Sequence, residues 1–246
     1  MAEFHLKIAG AVAVVTSLFD STPHYLSAYL TQEAPHFSVT VTEEDLRFEQ
    51  AQLDAEAVEE GFRRRVFTDP FLERAAIQRA FAEFLIDRDV LLLHGSTIAV
   101  DGKAYLFMAK SGTGKSTHTR FWREIFGQRA VMINDDKPFL QLTEHGTIAF
   151  GSPWSGKHGL DTNICAPLSG ICILERGAEN QIWPISSEEA LPMALKQGHC
   201  PLEEAKHAHF AALTRRLTET VPLWRMTCTK DPQAALVAHR AMCLEE

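Results

Sequence analysis

The stretch AYLFMAKSGTGKSTHTRFW, residues 104–122, is the most informative segment of this 246-residue chain. It begins with an apolar segment at 104–108 that predicts a β-strand, and it continues through a glycine-containing turn into a helical segment that stops at Gly127. Gly112 and Gly114 allow positive φ, so the N–H groups of the turn and of the helix start can converge on one point. A strand, such a turn and a helix in this order predict a phosphate-binding loop.

The side chains of this loop fit a polyphosphate. Lys115 supplies a positive charge for the β- and γ-phosphates, and the Ser116 hydroxyl can ligate Mg²⁺. The usual pattern starts with glycine where this chain has Ala109, and alanine is tolerated there if it keeps negative φ. The alternative is a glycine-rich turn before an ordinary helix. We predict nucleotide binding by the loop residues Ser111, Gly112, Thr113, Gly114, Lys115, Ser116 and Thr117.

Composition narrows the class of protein. The length allows one large domain or two small ones, and 46% hydrophobic residues can fill a sizeable core. A net charge of −8 argues against a broad nucleic-acid-binding surface. No apolar run reaches the length of a membrane span, and residues 1–10 lack the layout of a signal peptide. Five cysteines without a C-x-x-C pair predict reduced thiols in a cytoplasmic protein.

The periodicity of the chain predicts an α/β (α+β) fold with a mixed β-sheet core. We expect residues 1–87 to form an N-terminal α+β extension with strands at 4–17 and 37–48 and helices at 22–30, 50–66 and 69–87. Residues 88–246 are expected to form the core, with strands at 90–100, 104–109, 131–134, 139–142, 147–150, 170–175 and 223–229 and helices at 187–197, 202–219 and 231–243. One continuous domain is the alternative.

The apolar strand after the loop helix delivers two adjacent carboxylates, Asp135 and Asp136, in VMINDDK at 131–137. One carboxylate can hold Mg²⁺ directly or through water, and the other can take a proton from an attacking hydroxyl. The alternative is a solvated acidic turn. Because a phosphate-binding loop lies about 20 residues upstream, we favour the metal and base interpretation.

His94 ends the apolar run LLL at 91–93 and precedes the phosphate strand by one hairpin. A hairpin at Asp101-Gly102 would return His94 towards the level of residues 109 and 110. It would then face the phosphates or a second metal. The alternative is a histidine satisfied within the core.

The segment GSPWSGKH, residues 151–158, has the composition of a loop and holds three large functional side chains. Loops that carry such side chains on a rigid sheet often bind substrates. Trp154 can stack on a substrate, and Lys157 can pair with a phosphate or a carboxylate beside His158. The alternative is a surface turn with a half-buried tryptophan.

Four motifs together resemble a known group: LLHGS at 92–96, AKSGTGKSTHTRFW at 109–122, MINDDKP at 132–138 and GSPWSGKH at 151–158. The loop resembles the S-G-x-G-K-[ST] of the HPr kinase/phosphorylase and ATP-dependent phosphoenolpyruvate carboxykinase superfamily. The combination is similar to the small HPr-kinase-related proteins of bacteria within that superfamily. The resemblance runs over most of the chain and is most specific at residues 90–175.

The resemblance implies a P-loop in a mixed β-core rather than in a doubly wound parallel sheet. It also implies ATP with Mg²⁺, with Mn²⁺ as an alternative metal, and phosphoryl transfer to a hydroxyl. Carried over by position, Lys115 contacts the phosphates and Ser116 ligates the metal. Asp135 and Asp136 share metal binding and base catalysis, and His94 matches the active-site histidine that precedes the loop.

The chain departs from both parent families. It has no G-R-N segment like the HPr kinase signature, which argues against HPr as the substrate and against the phosphorylase reaction. It is less than half as long as a carboxykinase and lacks recognisable arginines for oxaloacetate, so decarboxylation is not expected.

The leading hypothesis is therefore a kinase that moves the γ-phosphate of ATP to a hydroxyl acceptor. A nucleotide-binding regulator or sensor with little catalysis is the alternative, and carboxykinase-like chemistry is a weaker one. The acceptor stays open between a protein serine, a peptide and a small hydroxy compound. ATP and GTP are not distinguished, and the oligomeric state is open. Neither nucleic acid nor a membrane is an expected partner.

Overall fold

The computed structural model describes residues 1–243 and divides the chain into two compact units. The first unit is Met1–Phe84, and the second begins at Leu85. Within the described residues, no helix combines the length and the apolar character needed to cross a bilayer.

The first unit contains a small sheet with the strand order β1-β2-β3. Its strands are β1 (Ala2–Ile8), β2 (Ala11–Ser17) and β3 (Phe37–Thr40). Its helices are α1 (Ser21–Tyr25), α2 (Glu43–Glu59) and α3 (Asp69–Leu85). The predicted single strand at 4–17 is wrong, because Ala9 and Gly10 adopt positive φ and turn the chain into an antiparallel hairpin.

The predicted strand at 37–48 is also wrong beyond Thr40, because a helix cap overrides the alternating pattern. The Thr42 hydroxyl accepts a hydrogen bond from the Asp45 N–H, and the Asp45 carboxylate accepts one from the Thr42 N–H. This reciprocal capping box satisfies two N–H groups at the start of α2. The helix predicted at 50–66 accordingly begins at Glu43 and ends at Glu59.

The second unit is a mixed α/β structure, as the sequence predicts. Its strands are β4 (Val90–Leu92), β5 (Ser96–Val100), β6 (Lys103–Met108), β7 (Ala130–Asn134), β8 (Phe139–Thr143), β9 (Gly146–Phe150), β10 (Cys165–Arg176), β11 (Gln181–Pro184) and β12 (Leu223–Cys228). Its helices are α4 (Lys115–Phe126), α5 (Ser187–Gln197), α6 (His207–Thr220) and α7 (Gln233–Cys243). Strand β11 is absent from the sequence-based prediction.

The predicted strand at 90–100 is two strands with different partners. Strand β4 pairs with β8, whereas β5 pairs with β6 and β7. The break falls at Gly95, whose backbone packs so closely on β6 that an added Cβ would lie 2.5 Å from Leu106 Cδ1. A larger residue at this position would displace the Leu106 side chain, so glycine permits the close approach of the chain to β6.

The directions of the central strands place several strand ends at one edge of the sheet. Strand β10 is parallel to β6, and both β6 and β7 are antiparallel to β5. Strands β6, β7 and β10 therefore run in one direction, and their carboxyl ends Met108, Asn134 and Arg176 lie at the same edge. We call this the open edge.

The sheet separates two apolar clusters because side chains alternate along its strands. Along β6, Leu106 and Met108 join the cluster that contains residues of α5 and α6. Tyr105 and Phe107 join the cluster that contains residues of α4 and α7. Each of these β6 side chains is at most 1% exposed. The second unit is thus a three-layer arrangement with a buried central strand that ends at the open edge.

Candidate functional site

The glycine-containing turn at residues 109–114 leaves β6 and leads directly into α4. Gly112 has a φ of 75° and Gly114 a φ of 126°, conformations that side-chain-bearing residues rarely adopt. A Cβ added to either glycine would meet no atom within 4 Å, so the backbone angle, not space, requires glycine here. Ala109 is fully buried and is not among the positive-φ residues, which agrees with the expected tolerance for alanine at this position.

Lys115 is the first residue of α4 and is only 8% exposed. Its Nζ donates to the carbonyl oxygen of Ala109 at 3.3 Å, which lays the side chain back along the turn. The amino end of α4 also presents N–H groups that have no acceptor within the helix. A buried ammonium beside a helix N-terminus favours an anion at this point.

The carboxylate of Asp136 pairs with His94, and the two residues come from different strand ends. His94 Nε2 lies 3.1 Å from Asp136 Oδ1. Burial raises the pKa of Asp136, but the hydrogen bond from His94 and the positive charges of Lys137 and Lys115 outweigh burial and hold that pKa below its ordinary value. Asp136 is therefore an ionised hydrogen-bond acceptor at neutral pH.

Asp135 is connected to the first turn of α4 through two hydroxyl groups. Ser96 Oγ donates to Asp135 Oδ1 at 2.6 Å and lies 2.9 Å from Thr119 Oγ1. Thr119 Oγ1 in turn lies 3.3 Å from the carbonyl oxygen of Lys115. Asp135, Ser96 and Thr119 are each at most 6% exposed. The orientation of the Asp135 carboxylate is thus fixed relative to the helix that carries Lys115 and Ser116.

Asn134 connects the aspartate turn to the 151–158 loop. Its Oδ1 accepts from the N–H of Asp136 at 2.8 Å and from that of Lys137 at 2.6 Å. Its Nδ2 donates to the carbonyl oxygen of Ser152 at 2.8 Å, and Ser152 Oγ donates to the carbonyl oxygen of Lys137 at 2.7 Å. Asn134 is fully buried, and the hydrogen bonds of its side-chain amide hold the two segments together.

The three candidate substrate residues of this loop lie in different surroundings. Trp154 is 8% exposed and packs near Phe139, with ring centroids 6.2 Å apart, so it offers little surface for stacking. Lys157 and His158 are exposed. The adjacent Gly156 lies against Asp136, since an added Cβ would be 3.2 Å from the Asp136 Cβ. The exposed end of the loop therefore begins beside the Asp136 carboxylate.

Asp135 and Ser116 are the residues here that could hold a metal together with bound phosphates. In residues 1–243, no three His, Cys, Asp or Glu side chains form a cluster suited to a metal ion. Mg²⁺ commonly uses one or two protein oxygens together with substrate phosphates and water. Asp135 and Ser116 can supply such oxygens, and open space above Gly112 and Gly114 leaves room for phosphates.

Four contributors to this geometry are absent from the sequence-based candidates: Ser96, Thr119, Asn134 and Arg176. Ser96 and Asn134 stand next to predicted residues, in HGS and NDD, and this adjacency is a signal that could have found them. Thr119 lies four residues after Lys115, which places the two on one side of α4. For Arg176 no local signal exists, because its contact depends on the pairing of β10 with β6.

Known proteins show a structural likeness to this chain but no sequence match. No protein-family model matches this chain, and no curated protein matches it. Solved structures similar to the chain include the HPr(Ser) kinase/phosphatase from Coxiella burnetii, at 11% sequence identity and a TM-score of 0.36. That similarity covers 61% of this chain and 96% of the other chain. A likeness at this level carries no conclusion about fold or function, and the mixed α/β architecture rests on the strand pairing described above.

Proposed function

We propose that this protein is an ATP- and Mg²⁺-dependent kinase that transfers the γ-phosphate to a hydroxyl acceptor. The observation that carries the proposal is the Asp136–His94 pair, 3.1 Å apart at the sheet edge where the glycine turn and Lys115 also lie. Such an edge supplies an anion site and a carboxylate that can accept a proton. These are the two elements that phosphoryl transfer to a hydroxyl needs from a protein.

Each residue has a role that follows from its position. Lys115 and the N–H groups of residues 111–117 hold the β- and γ-phosphates, and Ser116 and Asp135 hold the metal. Bound ATP would supply the transferable phosphoryl group, and Mg²⁺ would supply the positive charge that neutralises the phosphate oxygens. The hydroxyl chains through Ser96 and Thr119 keep Asp135 in one orientation.

Asp136 accepts the proton of the attacking hydroxyl in this proposal. A carboxylate with a lowered pKa is a weak base, but phosphoryl transfer passes through a loose transition state in which proton removal contributes little to the barrier. The main task of the Asp136–His94 pair is then to orient the hydroxyl towards the phosphorus. His94 keeps the Asp136 carboxylate fixed while it does so.

The acceptor enters from the side of Lys157 and His158, which are exposed and follow the residue that touches Asp136. A serine of a protein or peptide and a small hydroxy compound both fit this description. Buried Trp154 supports the loop from below instead of stacking on the acceptor.

The test is incubation of the purified protein with γ-labelled ATP and cell extract, followed by separation of proteins from small molecules. We expect label in one fraction, and we expect Lys115→Ala to lose both ATP binding and labelling. Asp135→Asn and Asp136→Asn should retain ATP binding and lose labelling. ATP binding with label in neither fraction would instead support a nucleotide-binding regulator, and wild-type ATP affinity in Lys115→Ala would contradict nucleotide binding at this loop.

A further inference from the structure

Arg176, the last residue of β10, reaches the glycine turn from outside. Its Nη2 donates to the carbonyl oxygen of Gly112 at 2.5 Å, and its Nε lies 3.4 Å from the carbonyl oxygen of Thr113. Among residues 1–243 no carboxylate pairs with this guanidinium. Arg176 therefore binds two backbone carbonyl oxygens of the turn instead of a carboxylate. The turn itself is the partner of this exposed side chain.

The backbone of Arg176 is firmly held, so its contact with the turn has a rigid base. Arg176 pairs with Cys228 of β12, and the N–H of the next residue, Gly177, donates to the Cys228 carbonyl oxygen at 3.2 Å. On the other side, β10 and β6 are in register up to Ile173 and Met108. The guanidinium therefore projects over the turn from the adjacent parallel strand.

The planarity of the peptide group gives this contact a directional consequence. In a trans peptide the C=O of one residue and the N–H of the next point in opposite directions. The Thr113 C=O faces Arg176, so the Gly114 N–H faces away from it. The preceding Thr113 N–H is already used within the turn, as a donor to the carbonyl oxygen of Lys110 at 3.2 Å. Gly114, with a φ of 126°, is the last residue before α4. Its N–H is therefore the group whose direction the Arg176 contact sets.

We propose that Arg176 is a positioning residue that orients the peptide groups of Gly112 to Gly114 so that the Gly114 N–H is directed at the polyphosphate. This inference rests on the proposed binding of a nucleotide at the turn. Arg176 acts through the turn, and its planar fork is what spans two carbonyl oxygens. Lysine keeps the charge at this position but has no such fork.

The experiment compares Arg176→Ala and Arg176→Lys with Arg225→Ala. Arg225 is the matched control, because its Nη1 bonds Glu175 at 2.5 Å on the same pair of strands and it is not one of the residues placed at the turn. ATP affinity is measured by calorimetry. In parallel, the Gly114 amide signal is followed by NMR as inorganic triphosphate is added.

We expect Arg176→Ala and Arg176→Lys each to weaken ATP binding about tenfold or more, since a charge-assisted hydrogen bond is lost. The triphosphate-induced shift of the Gly114 signal should shrink in both variants and be retained in Arg225→Ala. If Arg176→Ala fails to fold, Arg176→Lys still decides the matter.

Two results would overturn the inference. Wild-type affinity in Arg176→Lys would show that only the charge matters, and an unchanged Gly114 shift would show that the peptide is not oriented by Arg176. Lys115→Ala separates this failure from a failure of the proposed function. If Lys115→Ala loses ATP while the Arg176 variants keep it, only the positioning role is wrong. If Lys115→Ala also keeps ATP, nucleotide binding at the turn is wrong.

Discussion

The two ends of the β5–β6 hairpin differ in how they are built. At the closed end, Asp101 and Gly102 both adopt positive φ, the geometry of a tight two-residue hairpin turn. Arg129 clamps this turn by donating to both Asp101 carboxylate oxygens, at 2.9 and 2.5 Å. The Asp101 N–H also donates to the Arg129 carbonyl oxygen at 3.2 Å, so turn and neighbour hold each other through both backbone and side chain. The closed end is therefore a tight turn fixed by an ion pair.

At the open end, the same two strands meet segments that are distant in sequence. The Gly95 N–H donates to the Asp136 carbonyl oxygen at 2.9 Å, and Lys115 and Arg176 converge on the glycine turn. Polar side chains are buried here, which costs stability unless they are paired. The hairpin thus separates a stabilising end from a candidate reactive end. Changes at the open end should alter phosphate transfer, and changes at the closed end should alter stability alone.

The largest expected effect is that of Asp136→Asn. Loss of the carboxylate should lower the rate of phosphate transfer by about 10²-fold, because the attacking hydroxyl is no longer oriented towards the phosphorus, and leave ATP affinity near wild type. The measurement is the transfer rate at saturating ATP. His94→Gln should give a smaller loss, and the double variant should be no worse than Asp136→Asn, because both residues act as one pair. Additive losses would contradict that pairing.

The next effect is that of Asn134→Ala, which removes the amide that joins the aspartate turn to the 151–158 loop. Leaving these buried donors and acceptors without partners should lower the free energy of unfolding by about 2–4 kcal/mol and reduce the transfer rate as well. Urea unfolding and the rate assay measure the two consequences. Asn180→Ala is the matched control, since Asn180 accepts from the Thr229 N–H at 2.8 Å and is not part of the site. It should lower stability without changing the rate.

A smaller effect concerns the helix that starts at the open end. Burial lowers the pKa of His118 to about 3, and its Nε2 accepts from the Trp122 indole N–H at 3.1 Å. The unfolded chain binds a proton near pH 6.5, whereas the folded protein does so only near pH 3. Stability should therefore be fully present above pH 6.5 and fall as the pH drops from 6.5 towards 3. His118→Gln should flatten this part of the urea-midpoint profile, and an unchanged profile would contradict a neutral buried histidine.

The smallest effect on activity is expected from Gly102→Ala, and Gly112→Ala is its counterpart at the open end. The two glycines have φ values of 79° and 75°, and an added Cβ meets no atom within 4 Å at either position. Each substitution should therefore cost about 1 kcal/mol of unfolding free energy through backbone strain. Only Gly112→Ala should also weaken ATP binding. Equal effects on binding would remove the distinction between the two ends.

Local patterns predict most elements of the second unit, because each is specified by its own periodicity and turn residues. The hairpin at Asp101-Gly102 and the strand, turn and helix around Gly112 are examples. Errors occur where a few contacts override the pattern, as at Gly95, which divides the predicted strand at 90–100, and at Thr42, whose capping box converts a predicted strand into helix.

The candidate site is less accessible to sequence analysis. Residues 94, 115 and 136 follow from motifs, and their roles stay predictions. The positions of Asn134 and Thr119 beside or one helical turn from motif residues are visible in the sequence, but their hydrogen-bond partners Ser152 and Ser96 depend on the folded chain. Arg176 depends on a parallel strand pairing, and such pairings link positions far apart along the chain.

The parallel pairing of β6 with β10 also has a consequence for synthesis. Leu106 lies opposite Ile171, so the pairing of β6 with β10 can form only after β10 has left the ribosome. Closing so long a segment costs entropy before its contacts form, which slows folding. The glycine turn cannot acquire its Arg176 contact until residues up to 176 have emerged. A truncated nascent chain that ends before β10 should therefore contain the glycine turn without the Arg176 contact. Nucleotide binding should accordingly arise late in synthesis.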